Sequence, residues 1–127
     1  MSHYSTIDTQ FGFKNELIET LKEIYGNESV EVHNKPTTLY TFNAEDRQGE
    51  TAEIIVRRQF LSSLSNDLGF KLENGCYNMI VSDYDVCRSV KPQEIVARYA
   101  KKVIKNRLPN MRVIKMDENK IKLQVKV

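Results

Sequence analysis

The stretch that decides the fold class is residues 67–109, DLGFKLENGCYNMIVSDYDVCRSVKPQEIVARYAKKVIKNRLP. Its first part holds two apolar runs, 67–72 and 77–81, on either side of an Asn-Gly dipeptide, which is typical of tight hairpin turns. Its second part begins at Pro92, a residue suited to the first turn of a helix, and repeats apolar residues at helical spacing up to the next proline. A hairpin followed by an amphipathic helix predicts an α+β domain.

The apolar periodicity predicts two helices and their buried faces. The helix that begins at Pro92 is the more regular of the two. The other is predicted over residues 15–25, where apolar residues also recur at helical spacing and Gly26 is placed to end the helix. On these two faces we expect four core residues: Leu21, Ile95, Tyr99 and Val103.

Strands fill most of the remaining chain. Further strands are predicted over residues 1–10, 51–60, 112–116 and 120–127. Residues 30–42 contain two alternating runs separated by 33–36, which predicts a hairpin, and the polar residues 43–50 predict an exposed loop. The predicted order is roughly β-α-β-β-β-β-α-β-β, and the short turns favour a mostly antiparallel sheet with two helices on one face.

The composition is that of one globular domain. With 127 residues, 40% of them apolar, the chain has the size of a single α+β domain, 1–127. Its apolar runs are far shorter than the roughly 20 residues of a membrane-spanning helix, and its N-terminus lacks the segments of a secretory signal. Cys76 and Cys87 are expected to be free thiols in a reducing compartment. We therefore expect a soluble cytoplasmic protein without membrane contact.

Charge is divided unevenly along the chain. Residues 1–85 hold 7 basic and 14 acidic residues, a net charge of −7, whereas residues 86–127 hold 12 and 3, a net charge of +9. Such a split can mean a surface that binds a polyanion, or an acidic and a basic surface that pair within the molecule or between two copies. The simplest alternative is that both are solvated polar faces.

Seven basic residues lie on two predicted faces, one on the second helix and one on the last strand. They are Arg98, Lys101, Lys102, Lys105, Lys120, Lys122 and Lys126. Together they could follow a phosphate backbone through salt-sensitive contacts that do not depend on base sequence. Aromatic residues do not alternate with them, however, and lysine is also common on edge strands, where it prevents aggregation. A protein partner is therefore the preferred ligand, and nucleic acid is the alternative.

Three residues are candidates for site chemistry. His3 suits proton transfer near neutral pH, and Asp83 and Asp85, two positions apart after an apolar strand, could form an acid–base pair. A hydrogen bond to a neighbouring strand and a loop that caps the next segment would use the same residues without chemistry. Because the histidines and cysteines lack metal-ligand spacing and the glycines form no phosphate loop, we predict neither a metal nor a nucleotide cofactor.

Short blocks along the chain resemble a known family. They are Met1-Ser2-His3-Tyr4-Ser5-Thr6-Ile7, TAEIIV at 51–56, DLGF at 67–70, Tyr77 with VSD at 81–83, and RYA at 98–100. In this order they resemble the hypothetical chloroplast reading frame thirty-five family, a domain of unknown function in plastid genomes, cyanobacteria, other bacteria and some of their viruses. The resemblance implies a cytosolic or stromal protein and supplies no activity. The basic C-terminal hairpin and the lack of tryptophan favour a bacterial or phage member.

The sequence thus predicts a small accessory or binding domain that acts through a protein partner or a second copy of the chain, and no catalytic activity is inferred. Two alternatives stay open. One is a nucleic-acid-binding module that uses the basic C-terminal third. The other is a small enzyme that uses His3 with Asp83 or Asp85.

Overall fold

The computed structural model describes residues 4–43, 46–107, 111–117 and 120–125, with the side chains of residues 9–43 and 49–107. Along the chain, the elements are β1 (Tyr4–Phe11), α1 (Lys14–Tyr25), β2 (Val30–Tyr40), β3 (Asp46–Val56), β4 (Leu68–Glu73), β5 (Cys76–Ser82), α2 (Pro92–Arg107), β6 (Met111–Asp117) and β7 (Lys120–Val125). A 3₁₀ turn, Arg58–Phe60, lies between β3 and β4. The α+β class, the antiparallel sheet and the two helices are those predicted, and the order of elements matches the predicted order broadly.

The first five strands form one antiparallel sheet in the order β1-β5-β4-β3-β2. β1 and β2 are therefore the two edge strands of this sheet. β6 and β7 pair with each other in a separate antiparallel hairpin, and β7 lies beside β1.

Both helices pack on one face of the sheet and against each other. Ile54, Phe70 and Met79 occupy neighbouring positions across β3, β4 and β5, and their side chains point to the helices. The same layer buries the four predicted core residues, Leu21, Ile95, Tyr99 and Val103. The predicted faces of both helices are thus confirmed. Neither α1 nor α2 has the length and apolar character that a helix needs to span a bilayer.

Tyr99 ties α2 to the start of α1. Its ring meets the ring of Phe11 edge-on, with the centroids 4.8 Å apart. Its hydroxyl oxygen accepts a hydrogen bond from Phe13 N at 3.0 Å. Burial raises the pKa of Tyr99 to about 12, so the hydroxyl stays protonated at neutral pH.

β2 differs from its predicted form. The sequence predicts a turn at residues 33–36, but β2 runs through them as one strand. Val32 pairs with Ile54, and the next paired residue on β2 is Thr37, opposite Ala52, so five steps along β2 match two along β3. Such extra residues form a bulge that bends a strand.

β3 also departs from the sequence prediction at both of its ends. The strand predicted over residues 51–60 begins earlier, at Asp46, inside the predicted loop 43–50, and it ends at Val56. The loop between β2 and β3 is therefore shorter than predicted, and the hairpin that these strands form is longer.

The bend turns the far half of the β2–β3 hairpin over the sheet face opposite the helices. There Leu39 and Ala52 form a second buried cluster with Ile55 and Ile80, whose side chains alternate with those that point to the helices. The hairpin packs so closely on β4 that a Cβ atom on Gly69 would be 2.8 Å from the Ala52 Cβ and 2.9 Å from the Leu39 Cδ1. Glycine leaves the room that this contact needs.

Candidate functional site

A buried polar pair, Asn66 and Asp67, holds the bent hairpin in place. The Asp67 carboxylate accepts hydrogen bonds from Tyr40 N at 2.9 Å, from Arg58 N at 2.8 Å and from the Arg57 guanidinium at 2.7 Å. The Asp67 N–H donates in turn to Tyr40 O at 2.9 Å. Asp67 is only 2% exposed, and these hydrogen bonds offset the cost of burying its charge.

Asn66 joins three loops. Its side-chain oxygen accepts a hydrogen bond from Phe42 N at 3.2 Å, and its backbone N–H donates to the Asp85 carboxylate at 3.0 Å. Beside it, the Ser65 and Ser89 hydroxyl groups are hydrogen-bonded at 2.6 Å. We call these three adjoining loops the loop end: residues 41–43, 58–66 and 83–91.

The loop end carries most of the large exposed apolar side chains that the structure describes. Among the described side chains, seven large hydrophobic residues are exposed, and four of them are in the loop end: Phe42, Phe60, Leu64 and Tyr84. A fifth, Tyr40, lies directly before it, and the other two, Val32 and Leu72, lie on strands. Single exposed apolar residues are ordinary, whereas a group on adjoining loops is typical of a binding surface.

The accessible charge of the loop end is mainly positive. Among the side chains that the structure describes, no carboxylate pairs with Arg58, Arg88 or Lys91. The two guanidinium groups instead donate to backbone carbonyl oxygens of their own loops, at 3.2 and 2.6 Å. Of the loop-end carboxylates, Asp85 is buried and Asp83 is exposed. The loop end thus carries three basic side chains and one exposed carboxylate.

Arg57 lies beside the loop end, but its guanidinium forms ion pairs with carboxylates of the same chain. Its Nε donates to Glu31 Oε2 at 3.0 Å and its Nη1 to Asp67 Oδ2 at 2.7 Å. Glu31 is also 2.9 Å from His33 Nε2. Burial raises the pKa of Glu31, but the hydrogen bonds from Arg57 and His33 outweigh this effect and hold it below its usual value. Arg57 Nη1 also donates to Thr38 O at 3.0 Å, so the Arg57 side chain contacts both halves of the bent β2.

A cavity of about 220 Å³ opens between α1 and the start of α2. Its lining residues are Ile24, Tyr25, Arg88, Ser89, Lys91, Glu94 and Ile95. The Tyr25 hydroxyl donates a hydrogen bond to Ser89 O at 3.3 Å, and burial, with the charges of Glu94 and Asp85, raises the pKa of Tyr25. Ligand pockets usually measure about 300–1,000 Å³, so this cavity is small for a ligand.

The two aspartates of the predicted acid–base pair have different environments. β5 ends at Ser82, so Asp83 and Asp85 lie in a turn and not on a strand. Asp83 is exposed, whereas Asp85 is 1% exposed and accepts hydrogen bonds from Asn66. The structure therefore does not present them side by side, and it gives Asp85 a role in joining the loops.

The basic residues of α2 divide into two groups. Arg98 and Lys102 form ion pairs with Glu23 of α1, with 2.6 Å between Arg98 Nη1 and Glu23 Oε1. The hydrogen bond from Lys102, and then that from Arg98, lowers the pKa of Glu23. Lys101 and Lys105 are exposed and form no ion pair with a described side chain. Half of the predicted basic face of α2 thus pairs within the molecule.

The remaining predicted site residues have side chains outside the described part of the chain: His3, Lys120, Lys122 and Lys126. Lys120 and Lys122 belong to β7. The predictions made for these four residues stay predictions.

The loop end escapes sequence reasoning for identifiable reasons. Phe60 and Leu64 stand within or beside a cluster of serine and asparagine residues, where the pattern predicts only a strand end and a loop. An apolar residue inside such a polar cluster is the signal that points to a binding surface. Asn66 and Asp67 are of the type that hydrogen-bonds to the backbone in turns, but Asp67 reaches Tyr40, 27 positions away in the sequence.

Comparisons of this protein with protein-family models, with curated proteins and with solved structures found no match. The resemblance to the chloroplast reading frame thirty-five family therefore stays a prediction. Within residues 4–43, 46–107, 111–117 and 120–125, no group of three or more histidine, cysteine, aspartate or glutamate residues is placed to hold a metal ion. The loop end is the candidate site that geometry supports.

Proposed function

We propose that this protein is a binding domain that acts through a protein partner, which it contacts with the loop end. The observation that carries the proposal is the grouping of four exposed apolar side chains on three loops that Asn66 joins: Phe42, Phe60, Leu64 and Tyr84. Aromatic residues are enriched at the centres of protein interfaces, where their burial contributes much of the binding free energy. A partner that covers these side chains removes them from water.

The loops of this surface are held in place by buried hydrogen bonds. Asn66 and Asp67 bind the backbone of residues 40–42, while Ser65 and Asn66 bind the loop that contains Ser89 and Asp85. A surface ordered in this way loses less conformational entropy on binding than a mobile one. The hydrogen bonds therefore favour the loop end as a docking surface.

Nucleic-acid binding is the second candidate function. Lys101 and Lys105 lie four positions apart on α2 and are both exposed. Two such charges are few for a phosphate-tracking surface, since Arg98 and Lys102 are engaged with Glu23. The enzyme that would use His3 with Asp83 or Asp85 has less support, because Asp85 is buried and Asp83 lies on an exposed turn outside the lining of the cavity between α1 and α2.

The test compares three versions of the chain as baits in nuclease-treated extract of the organism that encodes it. They are the wild type, the double variant Phe42→Ser with Phe60→Ser, and the control Leu72→Ser. Leu72 is 42% exposed and Phe42 46%, so the control removes a similarly exposed apolar side chain away from the loop end. Bound proteins are quantified by mass spectrometry.

We expect the wild type and the control to retain the same partner and the double variant to lose it by at least about tenfold, since interface aromatics often contribute 1 kcal/mol or more each. Equal retention by all three baits would remove the loop end as the interface. Binding that disappears with nuclease treatment would favour the second candidate function instead.

A further inference from the structure

We infer that the partner segment that docks on the loop end is acidic as well as apolar, with Asp or Glu residues alternating with Leu or Phe. This inference rests on the proposed function and adds the chemistry of the partner. Arg58, Arg88 and Lys91 have no carboxylate partner among the described side chains, and Asp83 is the one exposed carboxylate in the three loops. An acidic segment supplies the missing counter-charges.

Cationic and apolar groups alternate over this surface. Arg58 and Phe60 belong to the same 3₁₀ turn. In the neighbouring loop, the Arg88 guanidinium lies 4.4 Å from the ring centroid of Tyr84. The Ser65–Ser89 hydrogen bond holds the two loops together. A segment in which carboxylates and apolar side chains alternate matches this arrangement better than a purely apolar one.

The same residues fit single-stranded nucleic acid less well. Base stacking needs an open aromatic face, and Arg88 already covers one face of the Tyr84 ring. The most exposed apolar residue of the loop end is Leu64, at 55%, and an aliphatic side chain is no stacking platform, so the rings left for stacking are mainly those of Phe42 and Phe60. The surface therefore favours an acidic peptide over a phosphate backbone.

The test uses three fluorescent probes. Two are synthetic peptides of about twelve residues that share the same Leu and Phe positions, with Glu between them in one peptide and Lys in the other. The third is a thymidine oligonucleotide of similar length. Affinity is measured by fluorescence anisotropy at two salt concentrations, and the bound surface is mapped by backbone amide chemical shifts.

We expect the Glu peptide to shift the amides of the loop end and to bind at least about tenfold more tightly than the Lys peptide, with affinity that falls as salt rises. The double variant Arg58→Glu with Arg88→Glu should lose about tenfold in affinity for the Glu peptide. The control, Lys101→Glu with Lys105→Glu, makes the same change of charge on α2 and should bind as the wild type does.

Several outcomes overturn the inference: no binding of the Glu peptide, equal binding of the two peptides, shifts outside the loop end, or tighter binding of the oligonucleotide through Arg58 and Arg88. The proposed function can survive each of the first three. If the extract experiment still shows that Phe42 and Phe60 hold a partner, the site stands and only the acidic chemistry of the segment is wrong.

Discussion

At the scale of single residues, Gly69 shows how the second buried cluster constrains the sequence. A Cβ atom at this position would lie within 3.0 Å of both Ala52 and Leu39. We expect Gly69→Ala to lower the free energy of unfolding by about 1–3 kcal/mol, because overpacking forces neighbouring atoms to shift. Urea unfolding measures this change.

Gly12→Ala is the matched control for this prediction. A Cβ atom on Gly12 would lie 3.8 Å from Cys76 Sγ, an ordinary contact, so we expect its effect to stay within about 0.5 kcal/mol. Equal effects of the two substitutions would show that the hairpin does not pack on β4 as described.

Core residues could be predicted from the sequence, whereas the contacts that they make could not. Leu21, Ile95, Tyr99 and Val103 could be predicted as core because each repeats at helical spacing within its own segment. The need for glycine at position 69 could not be predicted, because Leu39 and Ala52 reach it only after the β2–β3 hairpin bends. The apolar pattern of a segment indicates which face of its helix or strand is buried. It does not indicate which atoms of other segments contact that face.

At the scale of elements, one ion pair joins α1 to the end of α2. The Arg107 guanidinium donates to both Glu16 carboxylate oxygens, at 2.8 and 3.1 Å, and Glu16 is 3% exposed. The hydrogen bond from Arg107 is the main cause that lowers the pKa of Glu16 below its usual value of 4.5. Because the folded state has the lower pKa, the carboxylate stabilises the fold above about pH 4.5, and this stability is lost as pH falls through the lowered pKa.

We therefore expect Glu16→Gln to lower the free energy of unfolding by about 1–2 kcal/mol at neutral pH. The difference from the wild type should shrink as the pH falls through the lowered pKa of Glu16, because the wild-type carboxyl group then also becomes neutral. Urea unfolding over this pH range measures the effect.

The control for this prediction is Glu19→Gln, a change on the exposed side of the same helix. We expect a difference within about 0.5 kcal/mol at every pH. A Glu16→Gln difference that does not change with pH would show that the ion pair contributes nothing beyond packing.

The bulge in β2 could not be predicted from the local sequence. The polar run at residues 33–36, which contains a proline, is typical of a turn, and the sequence predicts one there. In the structure the same residues form the bulge of a single strand, because both halves of β2 pair with β3. Whether residues 33–36 form a turn or a bulge depends on the strand with which β2 pairs. The sequence of residues 33–36 does not specify that strand.

In the folded molecule, acidic residues from the first part of the chain and basic residues from the last part form ion pairs between the two helices. Glu16 and Glu23, from the acidic part, pair with Arg107, Arg98 and Lys102 from the basic part. The sequence allowed pairing within the molecule as one of its alternatives. It could not say which basic residues would remain accessible, because that depends on how α1 and α2 pack.

The loop end depends on hydrogen bonds between distant parts of the chain, and Asn66 tests this dependence. We expect Asn66→Ala to lower the free energy of unfolding by about 1–3 kcal/mol, because Phe42 N and the Asp85 carboxylate each lose a hydrogen bond. Hydrogen exchange of the Phe42 amide should become faster by about tenfold or more. Hydrogen–deuterium exchange followed by nuclear magnetic resonance measures this rate.

Asn78→Ala is the control, because the Asn78 side chain donates a hydrogen bond to Glu73 on the exposed surface. We expect it to leave the exchange of the Phe42 amide unchanged. If Asn66→Ala also leaves this rate unchanged, the loops do not depend on Asn66 for their order.

The bulge in β2 has a consequence for how the protein meets other chains. An edge strand that is long and straight offers its backbone groups as a template on which another strand can add, and amyloid grows in this way. The regular pairing of β2 with β3 begins at Val30 and stops at Val32. Pro36, which lacks an N–H, follows inside the bulge. This edge is therefore a poor template for strand addition. The chain can keep apolar side chains exposed at the loop end while the β2 edge of its sheet resists fibril growth.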